Sequence, residues 1–147
     1  MKIRNGFVSN SSSSSFVIIM KNGKKLNKET LLETFEVGEK SPLYRFAVDL
    51  TDWIVNNLEE KDIKGLHDNY VGNWKKLELT EDQMIEEIVQ EYGGINKEVL
   101  EKVKTKEYRY YFGSASSDSG EAIETYLCYS NMDVDTDTIK IEGGDGY

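Results

Sequence analysis

Five consecutive serines, Ser11 to Ser15, form the densest run of hydroxyl side chains in this chain, and residues of a core type frame them. Arg4-Asn5-Gly6-Phe7-Val8-Ser9-Asn10 precedes the run and Phe16-Val17-Ile18-Ile19-Met20 follows it. A serine tract in a flexible linker normally sits among Gly, Pro and charged residues, which bury too little apolar surface to offset the entropy of ordering. Three roles fit these residues. They can form an ordered turn or edge whose hydroxyls satisfy nearby backbone groups. They can be a leader, extending through residue 15, that a processing or modifying enzyme reads. Or the hydroxyls of Ser11, Ser12, Ser13, Ser14 and Ser15 can line a ligand or partner site.

Other materials for chemistry are sparse. His67 is the only histidine and Cys128 the only thiol, so a Cys-His dyad needs two distant residues to meet, with no family-type pattern around either. His67 sits beside Asp68 in a polar stretch, where exposure is the expectation, whereas Cys128 lies among aromatics and should pack as a small core residue. One His and one Cys cannot close a tetrahedral zinc shell. Asp133, Asp135 and Asp137 alternate like the opening of a calcium loop. Thr138 then stands where the sharp turn needs glycine, and Gly144 where a bidentate glutamate belongs. An adventitious divalent-ion site or a polar edge-strand face accounts for the three aspartates, the second by discouraging edge-to-edge pairing. Gly113-Ser114-Ala115-Ser116-Ser117 reads as a hydroxyl-rich loop able to hold an anion, but no Walker-type Gly-Lys-Ser/Thr follows it or the first serine run. No cofactor is expected.

The formal charge of −9 is unevenly placed. Residues 1–28 carry six bases and no acid, whereas residues 117–147 carry eight acids against Lys140 alone. The two ends are either solvated faces or attract one another in the fold. A one-signed acidic end can also steer a basic partner or mimic nucleic-acid phosphate. Lys24-Lys25, Lys75-Lys76 and the lysines of 102–106 are too diluted by acids for a nucleic-acid footprint, so nucleic-acid binding is not expected. A single cysteine suits a reducing, cytoplasmic setting. No run approaches a membrane span, and the serines break any signal-like stretch after Lys2 and Arg4.

The elements that must position these groups follow from pattern. A chain of 147 residues with nine tyrosines supports one domain that buries about two thirds of its unfolded surface. Phe16–Lys21 reads as a buried strand ended by the Asn22-Gly23 turn. Asn27 should cap a helix over 28–37 that Gly38 ends. Ser41-Pro42 should open the longest helix, with serine as cap and proline at its first position, and an apolar stripe through Leu43, Phe46, Ala47, Leu50, Trp53, Ile54 and Leu58. Residues 61–79 look irregular. Thr80-Glu81-Asp82-Gln83 has the form of a capping box before a helix that stops at Gly93-Gly94. Asn96 should cap another short helix. Glu107–Gly113 reads as a strand with Tyr108, Tyr110 and Phe112 on one face and Arg109 and Tyr111 on the other. Residues 120–130 fit a helix slightly better than a strand, 138–142 a short strand, and 143–147 a frayed tail.

The segment Arg4-Asn5-Gly6-Phe7-Val8-Ser9-Asn10-Ser11-Ser12-Ser13-Ser14-Ser15-Phe16-Val17 resembles an N-terminal signature shared by many short bacterial and tailed-phage proteins whose remaining sequences differ widely. It covers about a tenth of the chain. The resemblance implies a bacterial or phage source and brings no established activity. A shared opening on unrelated bodies implies common recognition, which favours the leader role, while the strand-like residues directly after it favour a structural one.

The expected fold is therefore a single α+β domain over 1–147, with a small mixed or antiparallel sheet of about three strands packed by two to four amphipathic helices. The expected role is a non-enzymatic binding or virion-associated protein with a protein partner and no membrane, in the host cytoplasm or a virion. Tyr108, Tyr110, Tyr111 and the acidic end are the expected contact surface. The tyrosine content also suits a homo-oligomer. The rival readings are an acidic DNA mimic or inhibitor of a host protein, and a small enzyme or ligand-binding protein that uses its serine-rich loops.

Overall fold

In the computed structural model, which describes residues 13–72, 78–116, 120–129 and 131–144, the run after the serines becomes the middle of a sheet. Strand β1 (Ser13–Met20) turns Phe16, Ile18 and Met20 to one face and Val17 and Ile19 to the other. It is buried from both sides, so its apolar run is continuous rather than alternating. The chain leaves it through a turn in which Gly23 takes φ 72° and the Asn22 side chain accepts from the Lys24 amide at 3.0 Å.

Helices α1 (Lys28–Phe35) and α2 (Tyr44–Asn57) follow, then strand β2 (Glu59–Lys61) and helices α3 (Ile63–Tyr70), α4 (Glu81–Glu91) and α5 (Lys97–Lys104). Strand β3 (Arg109–Ser116), helix α6 (Ala122–Tyr129) and strands β4 (Asn131–Asp135) and β5 (Ile139–Gly144) complete the described chain. The strands lie in the order β2-β3-β1-β5-β4, every neighbour antiparallel. The fold class is α+β as expected, but among the described residues the sheet has five strands where about three were expected, and there are six helices.

Two hydrophobic clusters sit on opposite faces. The first joins Phe16, Ile18, Met20, Ile139 and Ile141 of the sheet to Leu31 of α1, Leu50 and Ile54 of α2 and Leu127 and Cys128 of α6. The second joins Ile19 and Tyr110 to Ile63 and Leu66 of α3, Ile85 and Ile88 of α4 and Leu100 and Val103 of α5. Each helix thus lays one apolar stripe on the sheet, which supplies most of the stability of helices this short.

Several local signals are realised. Asn27 caps α1 by accepting from Thr30 N at 2.8 Å. Thr80 and Gln83 form the reciprocal capping box of α4, at 3.2 and 2.9 Å. Asn96 caps α5, and 122–129 is helical. Others are corrected. Helix α1 ends at Phe35 with Glu36 in the left-handed region rather than at Gly38. Helix α2 starts at Tyr44, because Ser41 Oγ accepts from Leu43 N and holds Pro42 in a turn ahead of the helix. The stretch 61–79 read as irregular contains the last residue of β2 and the whole of α3, and its residues 73–77 lie outside the described residues. Asp62 caps α3 by accepting from Gly65 N at 2.8 Å, and the internal glycine and the charged three-residue edge hide both elements.

The anticipated serine loop 113–117 is strand as far as Ser116, with Ala115 in the core, and Ser117 lies outside the described residues. Gly113 is required where the end of α2 crosses β3: a Cβ there would lie 2.8 Å from Leu58 Cδ1 and 3.1 Å from the Asn57 carbonyl. Strand β5 runs to Gly144, further than expected, and 145–147 lie outside the described residues.

Candidate functional site

A concavity that gathers some of the sequence-predicted groups forms beside α5. On the face that carries α3, α4 and α5, strands β5 and β4 present Lys140, Glu142, Asp133 and Asp135, which are partly or fully exposed. Between this open flank and the side of α5 lies a cleft of about 200 Å³, lined by Ile19, Lys21, Asn96, Glu98, Val99, Lys102, Tyr108, Asp135 and Lys140.

Most of the lining groups have a structural reason to be there. Ile19 points to this face because β1 alternates, and Lys21 continues the same parity one step past the strand. Lys140 and Asp135 stand opposite each other on β5 and β4. Val99 and Lys102 are one turn apart on the outer side of α5, whose inner side is fixed by Leu100 and Val103. Tyr108 lies just ahead of β3, with the Lys102 ammonium 5.0 Å from its ring centroid.

The charges in the cleft have neighbours of opposite sign or polar partners. Lys21 Nζ lies 2.6 Å from Asp135 Oδ1 and 2.9 Å from the Thr136 carbonyl. The Lys21 hydrogen bond holds the Asp135 carboxyl below the usual carboxylate range. Lys102 Nζ sits 3.5 Å from both Tyr108 Oη and Glu98 Oε1, and these partners raise its pKa, the tyrosine first. Glu142, 3.0 Å from Lys140 Nζ, raises that ammonium in the same way. The pairs make the flank a mosaic of both signs and join the basic start of the chain to its acidic end.

The expected site residues are scattered by this architecture. Ser11 and Ser12 lie outside the described residues. Ser13 is in β1, Ser14 is buried with Oγ donating to the Cys128 carbonyl at 3.5 Å, and Ser15 is exposed opposite Ser114. Tyr108 belongs to the cleft. Tyr110 and Tyr111 do not form a contact surface: both are buried, on opposite faces, because successive residues of a strand point to opposite sides. Tyr110 Oη meets Tyr70 Oη at 2.8 Å, and burial pushes both phenols up. Tyr111 Oη accepts from Leu26 N at 3.1 Å and donates to Glu60, which also holds Arg109. Asp133 and Asp135 lie on edge strand β4 and Asp137 in the turn after it. Among the described residues no three His, Cys, Asp or Glu side chains gather to hold a metal ion.

His67 is likewise corrected. It is 5% exposed on α3, with Nε2 2.8 Å from Glu87 Oε1 of α4. It packs on the face of the sheet opposite Cys128, so the two cannot form a dyad. Sequence reasoning also missed Lys21, Lys102 and Lys140, which come from three distant stretches and meet only through the sheet.

Comparison with protein-family models, with curated proteins and with solved structures finds no significant match to this chain. No helix among the described residues is long and apolar enough to cross a membrane.

Proposed function

We propose that this chain is a non-enzymatic binding protein that engages a protein partner through the open flank of its sheet and the cleft beside α5. The observation that carries the reading is the state of the ionisable groups there. Lys102 and Lys140 are held protonated by their neighbours and Asp135 is held ionised, so none is poised to exchange a proton near neutral pH. The only histidine and the only thiol are buried elsewhere. The cleft is also smaller than the 300 Å³ or so at which pockets for drug-sized ligands and cofactors begin. The N-terminal signature adds a bacterial or tailed-phage source and a cytoplasmic or virion setting.

The rival readings have less behind them. The Lys21–Asp135 and Lys140–Glu142 pairs interrupt the negative face that mimicry of nucleic acid needs. A serine-based enzyme is disfavoured by the burial of Ser14 and by the strand pairing of Ser114.

The test is a thermal-shift panel of nucleotides and divalent metals beside partner capture from the source organism. A binding module is not stabilised by the panel at micromolar concentration, since only a specific, tight ligand stabilises measurably by mass action there. It retains one captured protein that the Lys102→Glu, Lys140→Glu double variant loses. Stabilisation by a nucleotide or a metal at micromolar concentration would sink the reading.

A further inference from the structure

We propose that the cleft between α5 and strands β1, β5 and β4 is a receptor for an oxyanion, the carboxylate or phosphoryl group that a partner presents. This deepens the binding reading and rests on it. Three ammonium groups, Lys21, Lys102 and Lys140, line one space of about 200 Å³ in a chain whose net charge is −9. Of the two carboxylates in the lining, Asp135 is engaged by Lys21 at 2.6 Å, whereas Glu98, on the exposed side of α5, meets Lys102 only at 3.5 Å.

The cations retain spare capacity. An ammonium has three donors, and Lys102 meets both of its partners at 3.5 Å, beyond the usual length of a charge-assisted bond. Lys140 is paired with Glu142, which lies outside the lining. The phenol of Tyr108 adds another donor. Ile19 and Val99 supply an apolar wall that reduces competing hydration, which strengthens a charged contact. A cationic ligand would meet three like charges, and the shorter-held acid of the lining, Asp135, is already paired with Lys21. The volume suits a single anionic group better than a whole nucleotide.

The test titrates the full chain with inorganic phosphate and, separately, with acetate, following the amide and side-chain resonances of Lys102, Tyr108 and Lys140. Sodium chloride at matched ionic strength is the control, because screening alone moves exposed charges. Saturable shifts confined to the cleft are expected. They should weaken about tenfold in Lys102→Gln and in Lys140→Gln, as for loss of one charge-assisted bond, and persist in Lys102→Arg. Both lysines are partly exposed, so the variants should keep the wild-type melting midpoint; should a Gln variant unfold, Lys102→Arg and the chloride control still decide. A response to phosphate alone assigns a phosphoryl group, and a response to acetate as well assigns carboxylates; both support the proposal. Shifts that chloride reproduces, or that both Gln variants retain in full, overturn it. That failure leaves partner capture intact as the separate test of the binding reading.

Discussion

The ammonium of Lys21 stands 2.6 Å from the carboxylate of Asp135, a contact across 114 residues of sequence that fastens the end of the central strand to the outermost hairpin. The same ammonium reaches the Thr136 carbonyl, and the Lys21 amide donates to the Thr138 carbonyl at 2.8 Å. One residue therefore closes the floor of the cleft and the turn between β4 and β5. The polarity of the chain, bases first and acids last, acquires a structural use here, since antiparallel pairing of β1 with β5 brings the two ends side by side.

Replacing Lys21 by Met should release Asp135. Its carboxyl pKa, held below the ordinary carboxylate range chiefly by the Lys21 hydrogen bond, should move upward, which a carboxyl titration by NMR reads directly. The sign of the stability change follows from linkage. A carboxyl whose folded pKa is depressed adds stability above its unfolded pKa and loses it as pH falls through the folded value. Denaturant midpoints of wild type and variant should therefore differ at neutral pH and converge in acid. Because the pair is partly exposed, the difference should also shrink at high salt.

Elements whose signals are local were legible in the sequence. The Thr80–Gln83 box and the Asn27 and Asn96 caps need only a few neighbouring residues, and the alternation of Tyr108, Tyr110 and Phe112 against Arg109 and Tyr111 needs only one strand. What escaped depends on distant partners. Strand β2 is three charged residues with no apolar face, and it is a strand because β3 pairs with it. Glu87, twenty residues on, makes the burial of His67 tolerable. Parity shows that Tyr110 and Tyr111 face opposite ways, but only the helices on both sides of the sheet bury both. The cleft was invisible because its lysines share no local pattern.

His67 is expected to be a structural hinge pin between α3 and α4. When Glu87 is ionised it can only accept, so the imidazole donates through Nε2. His67→Ala should cost about 2–3 kcal/mol, combining a lost hydrogen bond to a charged group with the cavity left under the helices. His67→Gln, which can still reach the carboxylate, should recover part of this. Urea unfolding of His67→Ala, Glu87→Ala and the double variant, combined as a double-mutant cycle, separates the pair energy from the packing loss. A His67→Ala variant as stable as wild type would contradict the burial.

Tyr110 should resist ionisation until the fold fails. Burial, the first cause, and the neighbouring Tyr70 push its phenol far above the ordinary value of 10.0. For an acid whose folded pKa is raised, the unfolded chain loses protons first, so stability is complete below about 10 and declines as pH rises further. Absorbance of tyrosinate against pH should show exposed tyrosines titrating in the ordinary range and the Tyr70–Tyr110 pair appearing only with global unfolding. Tyr110→Phe should remove part of the alkaline loss while leaving Tyr70 without its 2.8 Å partner.

The position of the serines in the sheet constrains any processing of the N-terminus. Ser13, Ser14 and Ser15 are paired with Ser116, Ala115 and Ser114, and Ser14 is buried against α6. A chain that began at Phe16 would lose three rungs of the β1–β3 ladder, roughly 3 kcal/mol at about 1 kcal/mol for each net hydrogen bond. That is a large part of the stability of a domain of this size. Cleavage before Ser13 leaves these three rungs in place. The intact mass of the protein from its native source should therefore show a first residue no later than Ser13, and a recombinant chain starting at Phe16 should unfold at markedly lower denaturant than one starting at Ser13. Equal midpoints for the two chains would mean that the serine rungs carry no stability, and the tract would then be open to the leader role along its whole length.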